Sequence, residues 1–322
     1  MQAIRPKQTG GPEVMQLEEL PTPAPGATQL LVRSEAIGVN FIDVYTRSGQ
    51  YAAKTPILLG VEGAGVVEAV GSEVRDIQPG ARVAWSNAAG SYATHVLVAA
   101  DRALPLPDGV DSKLAAAALL QGLTAHYLAH TTFPLRPGHT ALVHAAAGGV
   151  GLLLVQIAKR AGARVIGTVS TPQKAELAKQ AGADSVILYD QQDFEAESCE
   201  LTGGRGVDVV YDSVGKTTFD KSLRSLRPRG MLVLYGQSSG AVAPVDPQTL
   251  AAKGSLFLTR PTLGHYTASR DELLSRAKDL FGWIERGELE VRVGRTFALA
   301  DAAKAHRALE SRETTGKVLL IP

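Results

Sequence analysis

Between Thr140 and Gly236 short apolar runs alternate with helix-patterned segments, and this alternation constrains the fold more than any other feature. The runs "TALVHAA", "RVIGTV", "SVILYD", "VDVVYDSVG" and "MLVLYG" predict strands. The segments between them, "GVGLLLVQIAKRAG", "TPQKAELAKQAG", "FEAESCELTGG" and "TFDKSLRSLRPRG", predict helices. Strand followed by helix, repeated, is the pattern of a parallel sheet with helical crossovers. The strands are continuously apolar, as strands covered on both faces must be. "SLFLTR" predicts a sixth strand.

The region before about Leu120 has another texture. "QLLVRSEAIGV", "GAGVVEAVG", "ARVAWS" and "SYATHVLVA" are short β-like runs, broken by turn clusters such as "LPTPAPGAT" and "IQPGAR". They predict a compact β-rich domain with barrel character. A helix-rich bridge, "LPDGVDSKLAAAALLQGLTAHYLAH", joins the two regions. One more helix, "RDELLSRAKDLFGWIERG", and a strand-like "KVLLIP" are expected in the tail. The 322 residues are enough for two domains.

Composition removes several classes of function. The formal net charge is +1, which gives no global field to draw nucleic acid or an anionic membrane. No apolar run is long enough to span a bilayer, and the amino terminus "MQAIRPKQTGGPEV" lacks a secretory h-region. Cys199 is the one cysteine, so an intrachain disulfide and a cysteine-rich zinc site are both excluded. The expectation is a cytoplasmic protein.

"HAAAGGVG", residues His144 to Gly151, lies between the first predicted strand and helix of the alternating region. It matches the dinucleotide fingerprint G-x-G-x-x-G in the frame Ala146-Ala147-Gly148-Gly149-Val150-Gly151, with alanine in the first glycine position. Gly148 lets backbone approach a pyrophosphate, and Gly151 lets helix and strand pack closely. The bland reading is a small-residue packing turn; the strand–turn–helix context favours dinucleotide binding. An NAD site places an acid about 20 residues on. Here the window Gly167 to Lys174, "GTVSTPQK", has no acid but contains Ser170, Thr171 and Lys174. Hydroxyls and a lysine at a helix start suit an additional phosphate, so the expected cofactor is NADPH.

The segments "GGPEVMQLEELPTP", "AIGVNFIDVYTRSGQY", "GVEGAGVVEAVG", "AAAGGVGLLLVQIAKRAGARVIGT", "VVYDSVG" and "SRETTGKVLLIP" cover nearly the whole chain. On them the chain resembles the medium-chain dehydrogenase/reductases, in their zinc-free quinone oxidoreductase branch that includes zeta-crystallin. The resemblance implies an α/β fold: a GroES-like β-rich catalytic domain (1–123 and 263–322) and a Rossmann-type doubly wound parallel sheet (124–262). The zinc alcohol dehydrogenases of that superfamily have Gly-His-Glu where this chain has Gly60-Val61-Glu62, and a cysteine near Asn40. Both ligands are absent, so no metal is expected. His126 and His130, spaced i, i+4, are read as ordinary helix histidines. Asp43 and Glu62 are read as structural charges, because nothing in their spacing pairs them.

Hydride transfer without a Lewis acid needs an electrophilic acceptor, such as a quinone or a conjugated enone. The resemblance places "NFIDVYTRSGQY" around the nicotinamide and substrate. Asn40, Tyr45 and Tyr51 carry N–H or O–H donors and are the catalytic candidates, with Arg260 reaching toward substrate. Phe41, Ile42 and Tyr45 are expected against the cofactor, as is Tyr127. Gly148, Gly149, Val150 and Gly151 are expected at the pyrophosphate, and Ser170, Thr171 and Lys174 at the additional phosphate. Tyr189 is expected over adenine. Ser213, the run Ser238, Ser239, Gly240 and Ala241, and the run Pro261, Thr262 and Leu263 follow successive strands, where such sheets bind ligands. Arg312 completes the expected contacts. Two rival readings are an NADPH-dependent enone, alkenal or enoyl-thioester reductase and a non-catalytic crystallin-like or RNA-binding protein. No aromatic and basic nucleic-acid motif is visible. The expected partners are a small-molecule quinone or conjugated carbonyl substrate and, through the sixth strand, a second copy of the chain, with no nucleic acid and no membrane.

Overall fold

The computed structural model describes residues 1–322. The chain runs through β1 (Gln2–Ile4), β2 (Leu17–Glu19), β3 (Gln29–Val39), α1 (Phe41–Ser48), β4 (Glu62–Val70), β5 (Arg82–Ser86), β6 (His95–Ala99), β7 (Leu104–Pro105) and α2 (Ser112–Tyr127). It continues through β8 (Thr140–His144), α3 (Gly149–Arg160), β9 (Arg164–Val169), α4 (Pro172–Gln180), β10 (Ser185–Leu188), α5 (Phe194–Leu201), β11 (Val207–Asp212), α6 (Phe219–Arg224), β12 (Leu226–Leu234), α7 (Pro247–Ala252) and β13 (Phe257–Thr259). The last part holds α8 (Leu263–Tyr266), α9 (Arg270–Glu285), β14 (Val293–Ala298), α10 (Ala302–Glu310) and β15 (Lys317–Ile321).

The chain divides into two compact units, Met1–Gln121 with Thr267–Pro322, and Gly122–Tyr266. The first division falls inside α2 and the second between α8 and α9. In the first unit a seven-stranded sheet has the order β14-β15-β3-β4-β5-β7, with β6 also on β3. The long β3 is shared by two antiparallel partners along one edge: β15 at Ile37–Val39 and β6 at Gln29–Arg33. Two cores form around it. Leu30, Val32, Val67, Val83, Trp85 and Val98 fill one; Ile37, Val39, Ile57, Leu59, Tyr92, Leu299 and Leu320 fill the other.

The second unit has the order β10-β9-β8-β11-β12-β13, all parallel. Counted from β8, this is the 3-2-1-4-5-6 order of a dinucleotide-binding sheet, whose ligands lie at the carboxyl ends of the strands where the order reverses. β8 and β11 are buried along their whole length. Helices open on local signals. Thr171 caps α4 by accepting from Lys174 N (3.3 Å), with Pro172 at its first position. Sequence periodicity overestimates one helix and misses others. α6 ends at Arg224, and the "RPRG" assigned to it belongs to β12. The tail holds α8, α10 and β14 besides the one helix expected there.

The alanine in the first fingerprint position has a structural counterpart. A Cβ on Gly167 of β9 would lie 2.8 Å from the Ala146 methyl. The side chain that the turn carries is thus absent from the neighbouring strand. Gly167→Ala is expected to destabilise the fold by about 1–3 kcal/mol through overpacking. Adding Ala146→Gly should recover most of that loss. Urea unfolding checks both variants, and equal stability of Gly167→Ala and wild type would contradict the packing argument.

Candidate functional site

In the second unit the expected cofactor residues line up along one end of the sheet. The chain leaves β8 through Ala145 in the left-handed region (φ 51°) and enters α3 with Gly148 as its N-cap. Gly148 N donates to Ala145 O at 2.8 Å. No side chain caps this helix, so its first N–H groups face outward without a side-chain acceptor. Gly151 is required by packing: a Cβ there would overlap the Ala145 carbonyl and lie 2.8 Å from Ala146 backbone atoms. Gly148 is less constrained than a positive φ would make it. Its φ is −78°, and an added Cβ would meet only Ala145 O, at 3.1 Å. Its value lies in the open space over the turn, not in backbone freedom. These glycines and uncapped amides fit a pyrophosphate.

Ser170, Thr171 and Lys174 come together at the end of β9. Thr171 Oγ1 is taken up by the cap, and Lys174 Nζ lies 3.5 Å from Ser170 Oγ. Tyr189 follows β10, its N–H bonded to Val169 O at 3.1 Å. The Ser213 turn is organised by Asp212, a residue not singled out from the sequence. Its Oδ1 accepts from Val214 N and Gly215 N (2.8 and 2.9 Å). Its Oδ2 accepts from Thr218 and Ser222 hydroxyls (2.7 and 2.9 Å). Ser222 Oγ also lies 2.9 Å from His144 Nε2, and His144 Nδ1 lies 2.8 Å from Thr168 Oγ1. Burial holds the His144 imidazole below its usual range, so it is neutral and structural. Ser239 has a structural task too: its Oγ donates to Val214 O (2.7 Å) and accepts from Thr217 N (3.1 Å). Ser238 and Gly240 join the same pair of turns through backbone bonds to Ser213 O and Lys216 N.

After β13, Arg260 bonds Pro261 O at 3.3 Å, and Pro261, Thr262 and Leu263 lead into α8. Tyr127 is 1% exposed and stacks on Tyr266, with centroids 4.3 Å apart and planes 10° apart. Burial, then the neighbouring Tyr235 and Tyr266, push its hydroxyl upward, so it stays protonated.

In the first unit the candidates cluster on α1. Asn40 is the N-cap, and its backbone N–H donates to Asp43 Oδ2 at 2.9 Å. Tyr45 is buried, 5.2 Å from the Tyr51 ring in an edge-on pair and 6.0 Å from Phe41, while Ile42 is exposed. The Asn40 amide is less available than its sequence context suggests. Nδ2 donates to Glu62 Oε2 at 2.9 Å and makes a long 3.5 Å contact to Gly38 O. Oδ1 accepts from Lys317 Nζ (2.9 Å) and Gln121 Nε2 (3.3 Å). One weakly engaged N–H remains. Asp43 and Glu62, unpaired by spacing, are both buried and both face Asn40. Arg312 is exposed and follows α10 with φ 60°, where Arg312 N and Glu313 N bond Leu309 O and Ala308 O. His126 and His130 have ring centroids 4.7 Å apart, and no three His, Cys, Asp or Glu side chains are grouped to hold a metal.

A second buried chain backs α1. Arg47 holds Glu310 through two bonds (3.0 and 2.7 Å) and lies 3.4 Å from His306 Nδ1. His306 Nε2 lies 2.9 Å from Tyr92 Oη, which donates to Asp43 Oδ2 at 3.0 Å. Arginine only donates, so Nδ1 must accept and the His306 proton sits on Nε2. Burial and the Arg47 charge hold His306 down at about 3. Burial lifts Asp43 to about 7, against the opposing bonds from Asn40 and Tyr92 and the Lys317 charge.

These shifts oppose each other. Asp43 binds its proton more tightly folded than unfolded, so its contribution declines as pH rises from 3.8 through about 7. His306 binds its proton more weakly folded, so its contribution is lost as pH falls from 6.5 through about 3. Asp43→Asn removes the first effect alone. Its melting temperature should therefore gain on wild type between about pH 5 and about pH 8. A difference constant with pH would show that Asp43 is not titrating in this window.

Two family models match: the alcohol dehydrogenase GroES-like domain over residues 26–108, and the zinc-binding dehydrogenase over residues 149–276. A quinone oxidoreductase of Pseudomonas aeruginosa is 49% identical over 315 residues, 97% of each chain. A 2-haloacrylate reductase of Burkholderia is 44% identical over 321 residues, 97% of this chain and 96% of its own. A mycobacterial protein solved in complex with NADPH is 51% identical, with full coverage of both chains and a TM-score of 0.98. The uncapped glycine turn, the corner after β9 that carries no acid and full-length similarity agree: the chain belongs to the quinone oxidoreductase branch of the medium-chain dehydrogenase/reductase superfamily.

Proposed function

We propose that this protein is an NADPH-dependent, metal-independent quinone reductase. The observation that carries the cofactor choice is the corner after β9. It offers Ser170, Thr171 and Lys174 at a helix start and no carboxylate between 167 and 174. A carboxylate there would repel a 2′-phosphate; a lysine and hydroxyls attract it. The 51%-identical mycobacterial protein, solved with NADPH, supports this reading. Similarity to the Pseudomonas quinone oxidoreductase supports the acceptor.

When bound, NADPH supplies the hydride. The chain's residues bind and orient. Gly148, Gly149, Val150 and Gly151 cradle the pyrophosphate, and Lys174 with Ser170 holds the additional phosphate. Tyr189, Ser213, Ser238, Ala241 and the run Pro261 to Leu263 complete the cofactor contacts, with Ser239 and Gly240 shaping the turns. Within the second unit, Tyr127 shapes the nicotinamide region. Within the first unit, Asn40, Tyr45 and Tyr51 are the donors offered to a quinone oxygen as it gains negative charge. Such a donor, correctly aimed, contributes about 3 kcal/mol. Balance requires one proton beside the hydride to reach the hydroquinone.

The similarity to a 2-haloacrylate reductase supports a second acceptor class, conjugated carbonyl compounds, at the same donors. A cytoplasmic homodimer completes the reading. No helix is long and apolar enough to cross a membrane. β13 forms an edge of the parallel sheet with Phe257 56% exposed, and an apolar edge strand favours pairing with a second copy.

The test is a turnover panel, 1,4-benzoquinone against an alkenal, with NADPH or NADH and chelator present. Wild type should prefer benzoquinone and NADPH. Lys174→Ala should lose about 1.5–3 kcal/mol of NADPH affinity and little NADH affinity. Equal losses for both cofactors would remove Lys174 from the phosphate site. Absence of quinone turnover would refute the function.

A further inference from the structure

Lys317 and Glu62 form an ion pair in the first unit, with side chains 1% and 0% exposed. Room has been made for it: a Cβ on Gly38 of β3 would lie 2.7 Å from Lys317 Nζ and from the Glu62 carboxyl carbon. Glu62 also accepts from Leu120 N at 2.6 Å. A buried pair of this kind is seldom a net stabiliser, since desolvation offsets the attraction and apolar residues of similar volume do as well. Stability is therefore a poor explanation for it.

The pair meets the two ends of a single amide. Glu62 Oε2 takes the Asn40 N–H at 2.9 Å, and Lys317 Nζ donates to Asn40 Oδ1 at 2.9 Å. Rotating that amide by half a turn would set its NH2 against the ammonium and its oxygen against the carboxylate. Asn40 consequently has one orientation. Its second N–H points where the pair dictates, and its backbone begins α1, which carries Phe41, Ile42 and Tyr45.

We propose that Lys317 and Glu62 are positioning residues for hydride transfer, acting through Asn40. They fix the direction of its weakly engaged N–H and the first turn of α1. The inference rests on the quinone reductase reading and adds two residues to it. Neither is proposed to touch substrate or cofactor.

The test is the double variant Glu62→Gln/Lys317→Met, which removes both charges together and leaves neither one buried alone. It should fold, with a melting temperature equal to or above wild type, and bind NADPH within about threefold of wild type. Its kcat with 1,4-benzoquinone should fall roughly tenfold while the quinone KM changes little. A purely structural pair would lower the melting temperature and leave kcat per folded molecule unchanged, which would overturn the proposal. Should the double variant fail to fold, Lys317→Arg decides. It keeps the charge, but a guanidinium fork does not reproduce one ammonium bridging Glu62 and Asn40. A several-fold loss of kcat at unchanged melting temperature supports the proposal, and wild-type kcat overturns it. Failure of wild type itself to reduce the quinone would strike the underlying function, and is seen before any variant is compared.

Discussion

The nucleotide half of this protein depends on how closely a helix start approaches the sheet. At Gly151 the space of a side chain is already filled by the Ala145 carbonyl and Ala146 backbone. That contact brings the first turn of α3 onto the carboxyl end of β8, where the strand order reverses. The uncapped amides there are what a pyrophosphate needs. The remaining positions proposed for the cofactor follow strand ends that the same sheet aligns: Ser170 after β9, Tyr189 after β10, Ser213 after β11 and Ser238 beyond β12. Asp212 extends the arrangement by tying down the Ser213 turn with four acceptor bonds.

The other unit solves a different problem. It must hold a short helix, α1, bearing aromatic and polar groups. The means are buried ions. Asn40 is gripped by Glu62 and Lys317, and Asp43 and Arg47, one helical turn apart, face Tyr92, His306 and Glu310. Apolar packing is non-directional; charged hydrogen bonds fix angles. The cost appears in the displaced proton affinities of Asp43 and His306, both products of burial.

Much of the nucleotide unit was legible in the sequence because its signals are local. Apolar runs, helix caps and the glycine spacing each lie within one strand–turn–helix unit, and they predict the parallel sheet and its loop. The compensation between Ala146 and Gly167 was not legible, because it joins two strands. The first unit shows this limit more strongly. Asp43 and Glu62 look unrelated along the chain, and Lys317 lies 277 residues from the Asn40 it bonds. α10 and β14 escaped for a similar reason. β14 has exposed residues at most positions and no apolar run to announce it. The donor capacity of Asn40 was read from its chemistry, whereas its neighbours decide how much of that capacity is left.

In the function proposed above, reducing equivalents pass as hydride from NADPH to a quinone without metal assistance. Rapid mixing of the chelator-treated protein with NADPH deuterated at one C4 position, then with 1,4-benzoquinone, tests it directly. Deuteration on one face of the nicotinamide should slow the single-turnover oxidation and pass its label out of the cofactor, while deuteration on the other face should do neither. Oxidation at the same rate with either label, or none until a metal is added, would contradict metal-free hydride transfer.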